Sequence, residues 1–180
     1  MSMTSSFERW ASTVRAEIEK LSTLKFDYPI GVNELFPPSQ QTAGVPPELK
    51  PLYEVCDGLS APDIYVGYFL DRAARVCSVR ERGEPTRIEG RQTAPITVFG
   101  SDGGGGRFAL CHADNSVLYL PSGGSVEQGA YHEDSMVESR RVGDDLAGFL
   151  DRLASDIAAF VANKVSHRYM VASGRTDSAG

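Results

Sequence analysis

Ile96-Thr97-Val98-Phe99, Arg107-Phe108-Ala109-Leu110-Cys111 and Val117-Leu118-Tyr119-Leu120 decide the fold. Each run is short and dense in β-branched or aromatic residues, the composition of a strand. The first two are joined by Gly100-Ser101-Asp102-Gly103-Gly104-Gly105-Gly106, and the last two by a stretch holding the turn pair Asp114-Asn115. Neither connection is long enough for a crossover helix, so the strands must pair antiparallel. Gly123-Gly124 marks a further turn, and residues 136–142 predict a last strand.

Working outward, residues 63–70 (Asp-Ile-Tyr-Val-Gly-Tyr-Phe-Leu) predict another strand, with Gly67 marking a bulge or a close backbone approach. Residues 71–79 suggest a short helix capped by Asp71, and residues 80–93 are polar with no clear element. A helix is expected from Pro51 to Asp57, with Gly58 as its left-handed cap. Residues 29–47, with two Pro-Pro pairs, predict an extended surface loop. Both ends are helical. Phe7, Trp10, Ala11, Val14, Ile18 and Leu21 make one stripe behind a Ser5/Glu8 capping box. Leu146, Phe149, Leu150, Leu153, Ile157, Phe160 and Val161 make the other, with Asp144 and Asp145 at the positive end of its dipole. The order predicts an α+β domain: an antiparallel sheet of about five to six strands with N- and C-terminal helices packed on it. Residues 1–44 are read as a helix plus Pro-rich connection, 45–163 as the core, and 164–180 as a flexible tail.

The 180 residues carry 18 Lys+Arg against 24 Asp+Glu, a net charge of −6. That balance argues against a broad nucleic-acid surface, which needs clustered cations, and favours a basic partner. Hydrophobic content of 41% with 23% charged residues excludes wholesale disorder. The 3 cysteines, Cys56, Cys77 and Cys111, suit a reducing compartment rather than a disulfide framework. With no signal-peptide pattern at the N-terminus and no apolar run near the ~20 residues of a span, the expectation is a cytoplasmic protein that does not enter membranes.

No constellation specifies a reaction, a cofactor or a metal. The Gly103–Gly106 block leads into a strand instead of a helix N-terminus, and no Lys-Ser/Thr pair follows, so it reads as a strand connection rather than a phosphate loop. Cys111 and His112 are adjacent and would point to opposite faces of a strand, which excludes a dyad between them. The histidines lack metal-ligand spacing, and no glycine-serine elbow marks a nucleophile. Tyr131-His132-Glu133-Asp134 is the densest polar cluster and reads as a solvated loop. Turn-rich loops on a rigid scaffold often carry contacts, which makes Asp57, Asp63, Asp102, Tyr131, Glu133 and Asp134 candidate partner-binding residues.

Residues 49–59 (Leu-Lys-Pro-Leu-Tyr-Glu-Val-Cys-Asp-Gly-Leu), Gly67-Tyr68-Phe69, residues 98–110 and the closing helix over 146–153 follow one another in an order that resembles the SUKH superfamily. That group contains the fungal glucan-synthesis regulator domain and many bacterial immunity proteins. The resemblance covers about residues 45–161 and implies a single α+β domain without catalytic residues. It implies a protein-binding function, most directly neutralisation of a basic toxin domain of a bacterial polymorphic toxin system. Gly58, Gly67, Gly100, Ser101, Gly103 and Gly104 fall at recurring positions of the family and are expected to be structural. A regulatory interaction module in cell-wall or signalling control is the alternative within that reading. An enzyme using Cys111 or a histidine is the alternative of another class.

Overall fold

Phe108 and Leu110 belong to one hydrophobic core, while Ala109 and Cys111, between and after them in the same strand, belong to a second. That alternation organises the molecule. The computed structural model describes residues 3–133 and 137–172. Along the chain its elements are α1 (Met3–Leu21), β1 (Glu34–Leu35), α2 (Lys50–Val55), β2 (Leu59–Ala61), β3 (Tyr68–Leu70), α3 (Ala73–Cys77), β4 (Arg87–Glu89), β5 (Ala94–Asp102), β6 (Arg107–Cys111), β7 (Val117–Leu120), β8 (Ser125–Glu127), β9 (Ala130–His132), β10 (Arg140–Gly143) and α4 (Leu146–Val161).

The fold is α+β, with the two long helices at the ends of the sequence, as the periodicity predicts. The sheet has ten strands among the described residues instead of five to six. β5 is its branch point. One edge of β5 pairs with β6, which continues to β7 and β10; the other is shared by β3 and β4. Through β3 the sheet runs to β2 and β1, and through β4 to β9 and β8. Every pairing is antiparallel except β4 with β9, which is parallel.

The larger core lies between the sheet and the helices, with Phe99, Phe108, Tyr119 and Val142 facing Trp10, Val14, Phe149 and Leu153. On the opposite face, Ile96, Val98, Ala109, Cys111, Leu118 and Leu120 are covered by Ile88 of β4 and Tyr131 of β9. With both faces covered, β6 and β7 need apolar residues at successive positions, and their unbroken apolar runs follow from that.

Several local expectations are corrected. Helix α1 already begins at Met3, so Ser5 lies inside it and not at its cap. Residues 63–67 are turn, and only Tyr68–Leu70 pairs as strand. Gly58 does not cap α2, since Cys56 takes that place in an extended conformation. Gly58 has φ +97°, and a Cβ there would come within 2.4 Å of the Leu70 carbonyl oxygen. Asp71 does not cap α3; Arg72 is the cap residue, and Asp57 receives the first helical N–H, from Ala73, at 2.8 Å. Asp145, expected only to favour the dipole of α4, also caps it, accepting from the Gly148 N–H at 2.7 Å.

Neither α1 nor the segment from residue 164 to residue 172 is loose. α1 packs against α4 and α2, and Phe7, Trp10, Val14 and Leu21 are all buried in the main core. In the expected tail, Met170 and Val171 are also buried. Asp156, itself buried in α4, accepts from the Met170 N–H at 2.9 Å and pairs with His167 Nε2 at 2.7 Å. Arg140 adds bonds to the carbonyls of Val171 and Ala172. The chain from residue 164 to residue 172 is therefore part of the domain.

Candidate protein-binding face

Most of the acidic residues singled out in the sequence are engaged internally. Asp102 is only 7% exposed. Its Oδ1 accepts the N–H groups of Gly104 and Gly106, at 2.9 and 2.7 Å, and its Oδ2 accepts the Tyr119 hydroxyl at 2.7 Å. It organises the glycine block and does not offer a surface charge, which corrects its placement among the contact residues. Tyr131 is wholly buried in the second core, with its hydroxyl donating to the Pro121 carbonyl at 2.8 Å. It too is no surface contact. Glu133 is half-buried and accepts from the Arg91 and Ser139 N–H groups. Asp134 lies outside the described residues. Asp57 serves α3.

The glycines have steric reasons. A Cβ on Gly103 would sit 2.0 Å from the Val66 carbonyl oxygen, one on Gly100 2.5 Å from the Phe69 carbonyl oxygen, and one on Gly106 2.4 Å from the Tyr119 hydroxyl. Gly67 has φ +89° in the turn that Gly103 meets, and the Gly103 N–H donates to its carbonyl. Gly104 contributes the N–H that Asp102 accepts, and Ser101 holds the β3–β5–β6 register opposite Phe69 and Arg107. Cys111 is buried in the second core, while the exposed ring of His112 bonds through Nε2 to Thr97 Oγ1 at 2.8 Å. Cys56 is also buried, which pushes its thiol pKa up to about 11. Among the described residues no three His, Cys, Asp or Glu side chains stand together as metal ligands.

Asp63 is different. Its Oδ2 accepts the Gly31 N–H at 2.7 Å and the Asn33 side-chain amide at 2.6 Å, and its own N–H donates to Asn33 Oδ1. These bonds tie residues 31–33 to the turn that follows β2. The Ser60 hydroxyl adds a bond to the Val32 carbonyl. Between Pro62 and Val32, which stand opposite if the β1–β2 register is extended, no regular ladder can continue, because proline has no N–H to give. Side chains do the pinning instead.

The pinned segment carries the apolar surface. Among the described residues, the large hydrophobic side chains left exposed are Leu24, Tyr28, Ile30, Val32, Tyr65, Val66 and Val165. Leu24, Tyr28, Tyr65 and Val165 meet around one groove, and Ile30, Val32 and Val66 follow Tyr28 or Tyr65 along the chain. Leu24, Tyr65 and Val165 line a single groove, Tyr28 packs on Phe26 of that groove with ring centroids 5.3 Å apart, and Tyr65 stacks on Tyr169 at 3.9 Å. Single exposed apolar residues are ordinary, but a continuous group marks an interaction surface. Between Lys25 and Lys50 the chain carries Asp27, Glu34 and Glu48 and no Lys or Arg, so the strip from Tyr28 to Val32 has an acidic border.

The chain significantly matches no protein-family model, no curated protein and no solved structure.

Sequence reasoning missed this face because Pro29 and Gly31 mark the segment as a surface loop, and residues 63–67 resemble a strand in composition. The available signal was the alternation of Tyr28, Ile30 and Val32 in a segment with no neighbouring stripe to pack against. Among the described residues no helix is long and apolar enough to cross a membrane.

Proposed function

We propose that this chain is a protein-binding domain of the immunity type, which neutralises a basic toxin domain by covering it with the face built from residues 24–34, 65–66 and 165. The observation that carries the reading is the gathering of the exposed Leu24, Tyr28, Tyr65 and Val165 around one groove, continued along the chain by the exposed Ile30 and Val32 beside Asp27, Glu34 and the partly buried Asp63. Interfaces of this kind have an apolar centre that excludes water and a charged rim that selects the partner. The toxin assignment itself rests on the SUKH resemblance of residues 45–161.

Tyr28 and Val32 are 51% and 72% exposed, so Tyr28→Asp and Val32→Asp change the surface without entering the core. The test is co-expression with the product of the adjacent gene, which the immunity reading requires to be a toxin, and binding of the two purified proteins. The double variant should lose protection and bind more weakly, with an unchanged melting temperature. Full protection by a folded double variant would remove this face from the function.

A further inference from the structure

We infer that the groove beside this strip receives an anchor of the protein partner in which an aromatic or long aliphatic side chain is flanked by carboxylates. The inference rests on the protein-binding reading and specifies one subsite of it.

The groove has a volume of about 560 Å³ and lies between the exit of α1, the turn at residues 64–67 and the exit of α4. Its walls are the side chains of Phe26, Tyr65, Phe160 and Tyr169, a lining suited to an apolar side chain. Lys25 stands on the α1 side and Lys164 on the α4 side, and the lining includes no Asp or Glu. Neither ammonium has an ion-pair partner among the described residues. On a protein of net charge −6, two unpaired cations facing one aromatic groove invert the overall sign locally. An occupant with apolar bulk and negative charge complements both properties.

The backbone supports a built site. Of the four non-glycine residues with positive φ among the described residues, two line this groove: Tyr65 at +57° and Asn163 at +51°. Asn163 follows the α4 cap, where asparagine tolerates this conformation well. Tyr65 has no such local reason. A bulky residue held left-handed is strained and is found mostly at functional sites. Here that conformation places the ring flat on Tyr169, with an interplanar angle of 5°.

The groove runs into the strip from Tyr28 to Val32 through the Phe26–Tyr28 contact. A small anionic molecule would fill the groove and leave the strip uncovered, whereas a protein segment covers both. Acidic groups on the partner at Lys25 and Lys164, and basic groups opposite Asp27 and Glu34, would also fix one orientation of docking.

The test uses the full chain and a displayed random-peptide library. Peptides that pair an aromatic residue with neighbouring Asp or Glu should be enriched. Their synthetic forms should bind with affinity that falls roughly tenfold or more for the Lys25→Glu/Lys164→Glu double variant, with the melting temperature unchanged. Replacing the peptide's acidic residues by lysine should restore binding to that variant. Enrichment without acidic–aromatic pairing, or affinity indifferent to both lysines, would overturn the inference. Peptides that bind only through Tyr28 and Val32 would also overturn it, yet leave the protein-binding reading standing. Conversely, groove-binding peptides together with no binding to the product of the adjacent gene would sink the immunity reading and keep the groove.

Discussion

The hydroxyl of Tyr68 donates to the carboxylate of Asp156 at 2.6 Å, joining β3 to α4 inside the protein. The same carboxylate takes the Met170 N–H and His167 Nε2. Burial and the neighbouring carboxylate both raise the Tyr68 pKa, so the phenol remains a donor at any ordinary pH. One buried acid thus ties the sheet, the last helix and the C-terminal segment together.

Asp156→Ala should therefore cost about 3–5 kcal/mol, since three donors lose their acceptor in a closed site. Tyr68→Phe removes one bond and should cost about 1.5–3 kcal/mol. Urea titration of both variants and of the double variant gives the coupling. Additive losses would mean that the two groups stabilise the fold independently.

Asp102→Lys should destabilise the protein by more than about 3 kcal/mol, because it puts a cation in a buried acceptor site and strands the Tyr119 hydroxyl and two glycine N–H groups. It is unsuited to testing electrostatic steering. A soluble variant with unchanged melting temperature would contradict the burial of Asp102.

The glycine block separates two kinds of constraint. Gly106→Ala should cost about 1–3 kcal/mol, because the Tyr119 ring fills the space a Cβ needs. Gly83→Ala meets no atom within 4 Å and is opposed only by φ +70°, so a cost of about 1–2 kcal/mol is expected. Truncating the ring as well, in Gly106→Ala/Tyr119→Ala, should recover less than the Gly106→Ala loss, since Asp102 then lacks its tyrosine partner. Thermal melts of the three variants distinguish crowding from backbone strain.

The central strands are legible in the sequence because both their faces are buried, and two buried faces leave an unbroken apolar run. β4, β8 and β9 are not legible, since a strand of three residues shows only one or two inward side chains. Ile88 alone is buried in β4, within a stretch that is otherwise polar. Asp57 and Asp102 fail as contact candidates for a chemical reason. Asp in a turn-rich stretch suggests a surface contact, but the same carboxylates satisfy turn N–H groups, as Asp57, Asp63 and Asp102 do. The apolar strip was hidden by Pro29 and Gly31, and tertiary bonds from Asp63 and Ser60 hold it in place.

Acid sensitivity should depend in part on Asp114. The hydroxyl and N–H of Ser116 bind its carboxylate, with Arg141 adding its charge, and hold its pKa down at about 2. The unfolded chain titrates near ~3.9. A depressed folded value contributes stability that is present above the unfolded pKa and lost as pH falls through the folded one. The loss should therefore fall between about pH 4 and pH 2, and exposure to solvent keeps it small. Asp71 has the opposite sign: burial raises its pKa, so its contribution is present at low pH and fades as pH rises. Asp114→Asn should flatten the acid limb of melting temperature against pH. An unchanged limb would assign the sensitivity elsewhere.

Electrostatic steering by the acidic border should appear in the association rate. Asp27 and Glu34 are exposed and lie at the two ends of the strip from Tyr28 to Val32. Asp27→Lys and Glu34→Lys together change the local charge without touching either core. Attraction between a basic partner and this border acts over a Debye length of ~8 Å at physiological salt, so it accelerates encounter and weakens as salt is added. Dissociation depends instead on the packed apolar centre and should respond mainly to Tyr28→Asp and Val32→Asp. Stopped-flow mixing with the product of the adjacent gene, at several salt concentrations, separates the two effects. The double reversal should slow association by roughly tenfold at low salt, and the difference should shrink at high salt. An association rate indifferent to both salt and the reversals would leave the apolar face without a steering border, and a basic partner would lose its physical basis.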